Sequence, residues 1–129
     1  MDETTIFLVD DNATFRREAK RLLETQKDFK VVGQSSNAYE AICEIESLSP
    51  DIILVDIKMP GKDGFQLVKS LPGRRRNIIM LSMFDEYKSQ AISLGVAGFV
   101  SKVEKPTKLI KEIRSARQRW LPPSVRYVS

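Results

Sequence analysis

Two short aliphatic runs in this chain end on carboxylates. Ile6-Phe7-Leu8-Val9 leads into Asp10-Asp11, and Ile52-Ile53-Leu54-Val55 leads into Asp56. Two further runs end on other reactive groups. Ile78-Ile79-Met80-Leu81 stops at the Ser82 hydroxyl, and Ala97-Gly98-Phe99-Val100-Ser101 stops at the Lys102 ammonium. A single aspartate or serine in such a place is ordinary turn chemistry, because both residue types favour the step from strand to loop. Four such sets, all at one end of their runs, are hard to explain that way. Three carboxylates brought together without a counter-charge would repel, and their pKa values would rise. A cation therefore belongs among them.

Magnesium suits the donor set, since it takes hard oxygens in octahedral geometry, often one or two carboxylates plus waters. Asp11 and Asp56 can ligate it directly, together with the backbone carbonyl of Lys58, while Asp10 can hold a metal-bound water. Asp56 is also a nucleophile able to accept a phosphoryl group as an aspartyl phosphate. That transfer needs little beyond positioning and charge stabilisation. Lys102 and Ser82 offer an ammonium and a hydroxyl to the phosphoryl oxygens.

The elements that must position these groups follow from the pattern. Continuous aliphatic runs bounded by turn residues read as strands buried on both faces. Phe29-Lys30-Val31-Val32-Gly33 supplies a fifth. Between the runs, apolar residues recur at helical spacing: Phe15, Ala19, Leu22 and Leu23, then Ala38, Ala41, Ile42, Ile45 and Leu48. Phe65, Leu67, Val68 and Leu71 outline a short third helix. Asp85 is placed to cap a fourth that runs through Leu94, and Leu109, Ile110, Ile113, Ala116 and Trp120 form the inward stripe of a fifth. Asn12 and Asn37 are placed to cap the first two helices, with Glu40 completing a capping-box-like pattern after Asn37. Pro50, Pro72-Gly73 and Gly95 stop helices, and Pro106 suits the first turn of the last one. Five alternations of strand and helix describe a parallel sheet with helices on both faces and right-handed crossovers. In such sheets ligands bind beyond the carboxyl ends of the strands, where the reactive groups fall.

Composition narrows the class. A chain of 129 residues, 42% hydrophobic and 29% charged, fits one ordinary globular domain. No apolar run is long enough to span a bilayer, and the acidic, polar start is unlike a signal peptide. A single cysteine, Cys43, excludes an internal disulfide and fits a reducing cytoplasm. The absence of histidine excludes a histidine base or zinc site. The net charge of +4 is uneven: residues 102–129 hold eight basic and two acidic residues, leaving 13 basic and 15 acidic before them. Lys108, Lys111, Arg114 and Arg117 read as a solvated helix face, and Arg74-Arg75-Arg76 as a solvated turn.

Taken together, Asp10-Asp11, Asp56 followed by Met59-Pro60-Gly61 and Asp63-Gly64, Ser82, Phe99 and Lys102 resemble the signature of response-regulator receiver domains. The resemblance covers nearly the whole chain. It implies a flavodoxin-like (CheY-like) doubly wound α/β fold of five parallel strands in the order 2-1-3-4-5 with five helices. It also implies magnesium, phosphorylation of Asp56 by a sensor histidine kinase, and a cytoplasmic location. Ser82 and Phe99 would be the switch pair that remodels the face of helix 4, strand 5 and helix 5, with a homodimer forming on phosphorylation. Such a domain is a phosphoacceptor, not a turnover enzyme. Val31-Val32-Gly33, Leu81-Ser82-Met83, Gly95-Val96-Ala97-Gly98-Phe99 and Leu121-Pro122-Pro123-Ser124-Val125 resemble the NarL/FixJ (LuxR-type) branch, in which a linker and a DNA-binding output domain follow. Residues 1–120 are then the receiver and 121–129 the start of a linker or tail, with DNA reached only through an output domain absent from these residues.

Departures from the commonest pattern are Val103 after the lysine, Met83 after the switch serine, where its bulk suggests a narrowed entrance, and Phe99 in place of tyrosine. Three other readings compete. An aspartate-nucleophile phosphatase wants an acid two residues after Asp56, where Lys58 stands. An interaction module indifferent to phosphorylation would have no need of every acid and Lys102. Direct nucleic-acid binding by the last helix lacks interleaved exposed aromatics.

Overall fold

The computed structural model describes residues 3–120. Five strands, β1 (Thr4–Val9), β2 (Phe29–Ser35), β3 (Ile52–Asp56), β4 (Ile78–Ser82) and β5 (Gly98–Ser101), form one sheet in the order β2-β1-β3-β4-β5. Every pairing is parallel. The α-helices are α1 (Ala13–Leu23), α2 (Ala38–Leu48), α3 (Gly64–Lys69), α4 (Lys88–Ser93) and α5 (Thr107–Trp120). The expected order and helix count are both observed.

Because strand side chains alternate in direction, each apolar run feeds two cores. Phe7, Val9, Ile53, Val55, Ile78 and Met80 pack with α2, α3 and α4. Ile6, Leu8, Ile52, Leu54, Ile79 and Leu81 pack with α1 and α5. β3 is buried at every position, as a central strand covered on both faces must be. Between β1 and β2 the register slips at Ile6/Phe7, so that Val32 is passed over. Gly33 follows the slip, and a Cβ there would meet the Phe7 ring at 2.7 Å, so glycine is what lets that ring cross.

Several local expectations are corrected. Asp85 does not cap α4. It begins a 3₁₀ turn over Asp85–Tyr87, and α4 starts only at Lys88, without a side-chain cap. Asn12 and Asn37 do cap α1 and α2, accepting from the amides of Phe15 and Glu40 at 2.9 Å each. The reciprocal half of the box at Glu40 is missing, because the Asn37 amide donates to Ser35 Oγ instead. The complete box belongs to Asp63 and Gln66 at α3. Leu48 is 46% exposed. It lies on the last turn of α2, before Ser49 takes a left-handed conformation, with its side chain near Gly33.

The basic residues are less free than their spacing suggests. Arg74-Arg75-Arg76 lies in a 3₁₀ turn over Pro72–Asn77, where Arg74 bonds Glu46 and Ser49 and Arg75 donates to the Leu94 carbonyl. Arg114 grips Asp28 with its two terminal guanidinium nitrogens and lies over the Phe29 ring at 4.5 Å. Arg119 donates to the Ala97 carbonyl. These side chains clip α5 to the body of the domain. The inward placement expected of the Trp120 side chain and the linker reading of 121–125 lie outside the described residues.

Candidate functional site

Register brings the reactive groups together. Val9 pairs with Val55, so Asp10 emerges beside Asp56, while Ser82 pairs with Ser101, so Lys102 emerges beside Ser82. One carboxylate oxygen from each of Asp10, Asp11 and Asp56 lies within 4.8 Å of the other two. Asp10 and Asp56 are buried and Asp11 is exposed.

One cation serves both buried acids. Lys102 Nζ stands 2.6 Å from Asp10 Oδ2 and 3.4 Å from Asp56 Oδ1, with only 10% of the lysine side chain exposed. Asp10 Oδ1 accepts from the Asn12 amide. Its buried Oδ2 pairs with the Lys102 ammonium. Burial and the Asp10 charge beside it push the Asp56 carboxyl up to about 7, against the opposing pull of Lys102. Asp56 thus sits where a modest gain in nearby positive charge turns it into a full carboxylate.

The other strand ends are equally defined. Ser82 is 1% exposed, and its Oγ accepts from the Phe84 amide at 2.9 Å, which leaves its own proton to be donated elsewhere. The Lys102 amide donates to the Ser82 carbonyl at 2.7 Å. Phe99 lies at the margin of the core formed with α2, α3 and α4. After β3, Gly64 lies against the Asp56 backbone: a Cβ there would collide with the Asp56 carbonyl oxygen and fall 2.8 Å from Ile57 Cα. The Gly64 amide bonds the Ile57 carbonyl, which folds the loop back. The exposed Lys58 side chain lies over the Tyr87 ring at 5.3 Å. Met83, whose bulk suggested a narrowed entrance, is 54% exposed.

The donor set fits a hard divalent cation. Three carboxylates cluster where one ammonium pairs with two of them, so the acids outnumber their counter-charge. Sequence reasoning missed Phe15, whose ring carries the Lys102 ammonium 4.2 Å from its centroid. Helical periodicity marks Phe15 only as an apolar residue.

A doubly wound sheet with clustered acids, a hydroxyl and a lysine at its carboxyl edge is the architecture of a phosphoacceptor switch. The chain belongs to the response regulator receiver domain family, which it matches over residues 6–114. It is 35% identical over 120 residues to the nitrate/nitrite response regulator protein NarL of Escherichia coli K12, covering 89% of this chain and 55% of that protein. It is 34% identical over 114 residues to the transcriptional regulatory protein BtsR of Salmonella typhi, covering 88% of this chain and 48% of that one. The chain therefore spans about half the length of these curated relatives.

Among solved structures, the receiver domain of the putative response regulator NarL from Mycobacterium tuberculosis aligns with a TM-score of 0.82 at 27% identity. That alignment covers 92% of this chain and 98% of that one. A LuxR-family response regulator from Aurantimonas aligns with a TM-score of 0.84 at 26% identity, over 96% and 93%. The NarL/LuxR-type branch is the one the sequence resembles. Among the described residues no helix is long and apolar enough to cross a membrane.

Proposed function

We propose that this receiver accepts a phosphoryl group on Asp56 from the phosphohistidine of a sensor kinase. An Asp56 carboxylate oxygen attacks phosphorus, the P–N bond breaks, and the imidazole leaves with the electron pair and takes up a proton. Bound by Asp10, Asp11, Asp56 and the Lys58 carbonyl, magnesium would neutralise charge on the transferring group. Lys102 supplies an ammonium to one phosphoryl oxygen, and the Ser82 hydroxyl, turned from its present place, donates to another. The observation that carries this reading is one ammonium shared by two buried acids, with the Asp56 carboxyl raised to about 7.

Movement of Ser82 opens room at the end of β4, and Phe99 on the neighbouring strand follows it. The face this remodels, around α4, β5 and α5, carries exposed Phe84, Ile92 and Val103. It would control a DNA-binding output domain, with self-association on phosphorylation, in the cytoplasm. The group is loaded and lost again without substrate turnover.

Intact mass after incubation with magnesium and acetyl phosphate tests the proposal. The native chain should gain one phosphoryl group, and Asp56→Ala or omission of magnesium should abolish the gain. A native chain that binds magnesium yet gains no mass refutes it.

A further inference from the structure

We infer that Phe15 is a positioning residue for Lys102, holding the ammonium over Asp10 and Asp56 through the face of its ring. This rests on the phosphoacceptor reading above and extends it to a residue with no reactive group of its own. Four contacts form a closed circuit. The Asp10 carboxylate accepts from the Asn12 amide, and the Asn12 side chain accepts from the Phe15 amide. The Phe15 ring lies under the Lys102 ammonium at 4.2 Å, and that ammonium returns to Asp10 at 2.6 Å. The same helix cap therefore fixes both an acid and the ring that steadies the acid's counter-ion.

The ring does something a hydrogen-bond acceptor there could not. An ammonium has three N–H donors, and the shared acids engage it from one side. A carbonyl or hydroxyl on the other side would take a donor that an incoming phosphoryl oxygen needs. An aromatic face attracts the cation by its quadrupole, displaces water, and leaves that donor available. Without it, a lysine that opens a turn followed by exposed Val103 and Glu104 is free to swing out and be hydrated. Phe15 is only half-buried, packed on one side against the core beneath α1. Its other side lines a groove of about 410 Å³ between α1 and the β5–α5 connection. Changing it therefore does not empty the core.

The test compares Phe15→Leu, which keeps apolar bulk without a π face, with Phe15→Tyr, which keeps the face. With magnesium and acetyl phosphate, Phe15→Leu should load Asp56 about tenfold more slowly, and Phe15→Tyr should stay within about twofold of native. In a Lys102→Ala background the Phe15→Leu change should have no further effect. In the unphosphorylated native protein, the Lys102 ε-methylene protons should show an upfield ring-current shift that survives in Phe15→Tyr and vanishes in Phe15→Leu. Equal loading by native and Phe15→Leu overturns the inference, as does an unshifted Lys102 methylene in the native chain. Equal slowing by Tyr and Leu also overturns it, since it would mark a packing role. If the native chain takes up no phosphoryl group, the phosphoacceptor reading fails and the Lys102 shifts alone decide whether Phe15 positions the lysine.

Discussion

An aspartate stands at each end of β3, and the two are treated in opposite ways. Asp51, just before the strand, is well partnered. Its Oδ2 accepts from the Thr5 amide and hydroxyl, its carbonyl accepts from Asn77, its own amide donates back to Thr5, and Arg117 approaches Oδ1 at 3.7 Å. Three other parts of the fold thus meet on one residue. Asp56, at the far end, is more deeply buried yet short of donors, because it shares a single ammonium with Asp10. The same side chain is a rivet where its charge is matched and, in the proposed function, a reagent where it is not. Local rules of polar satisfaction are kept at the structural edge and broken at the reactive one.

The sharpest test of that contrast is Gly64→Ala. The added Cβ would collide with backbone atoms of Asp56 and Ile57, which have no rotamer to yield. The cost should be about 3 kcal/mol in urea denaturation, with phosphoryl acceptance lost as well. A loss below about 0.5 kcal/mol would mean the loop is looser than the geometry implies.

Asp51→Ala should lower stability by about 2 kcal/mol, by stranding the Thr5 amide. Measured at a temperature where both proteins are folded, it should leave the rate of phosphoryl acceptance unchanged. A slowed rate would show that the two ends of β3 are coupled.

Asp56→Asn should go the other way. The folded protein holds the Asp56 proton more tightly than the unfolded chain, whose carboxyl titrates near 3.8. Rising pH therefore removes stability between about 4 and just above 7. The asparagine variant escapes this, and should exceed native stability by on the order of 2 kcal/mol near pH 8 and match it near pH 4. Magnesium should raise the native Tm more near pH 8 than near pH 5 and do little for the variant. A difference independent of pH would erase the distinction between the two aspartates.

Much of this was legible before any coordinates, for a plain reason. The strands of a doubly covered sheet are largely apolar, so their ends are marked by the first polar residues, and the groups proposed for the chemistry stand there: Asp10, Asp56 and Ser82, with Lys102 one position after the buried Ser101. The caps at Asn12 and Asn37 were legible because capping is local. Asp85 was misleading, since an aspartate ahead of a helical stretch looks alike whether the next turn winds as 3₁₀ or α. Contacts across long sequence separations left no local trace. Arg114 reads as one more solvated cation until Asp28, 86 positions earlier, is placed against it. Phe15 reads as core until Lys102 is found on its ring.

One backbone hydrogen bond has a practical consequence. Because the Lys102 amide is held by the Ser82 carbonyl at 2.7 Å, the peptide carrying the ammonium and the peptide carrying the hydroxyl are tied at their base, and their side chains move from a common footing. That amide proton can leave for solvent only when the tips of β4 and β5 part. Its deuterium exchange is therefore a single-site clock for the opening of this jaw, readable in the native chain without a label or a substitution.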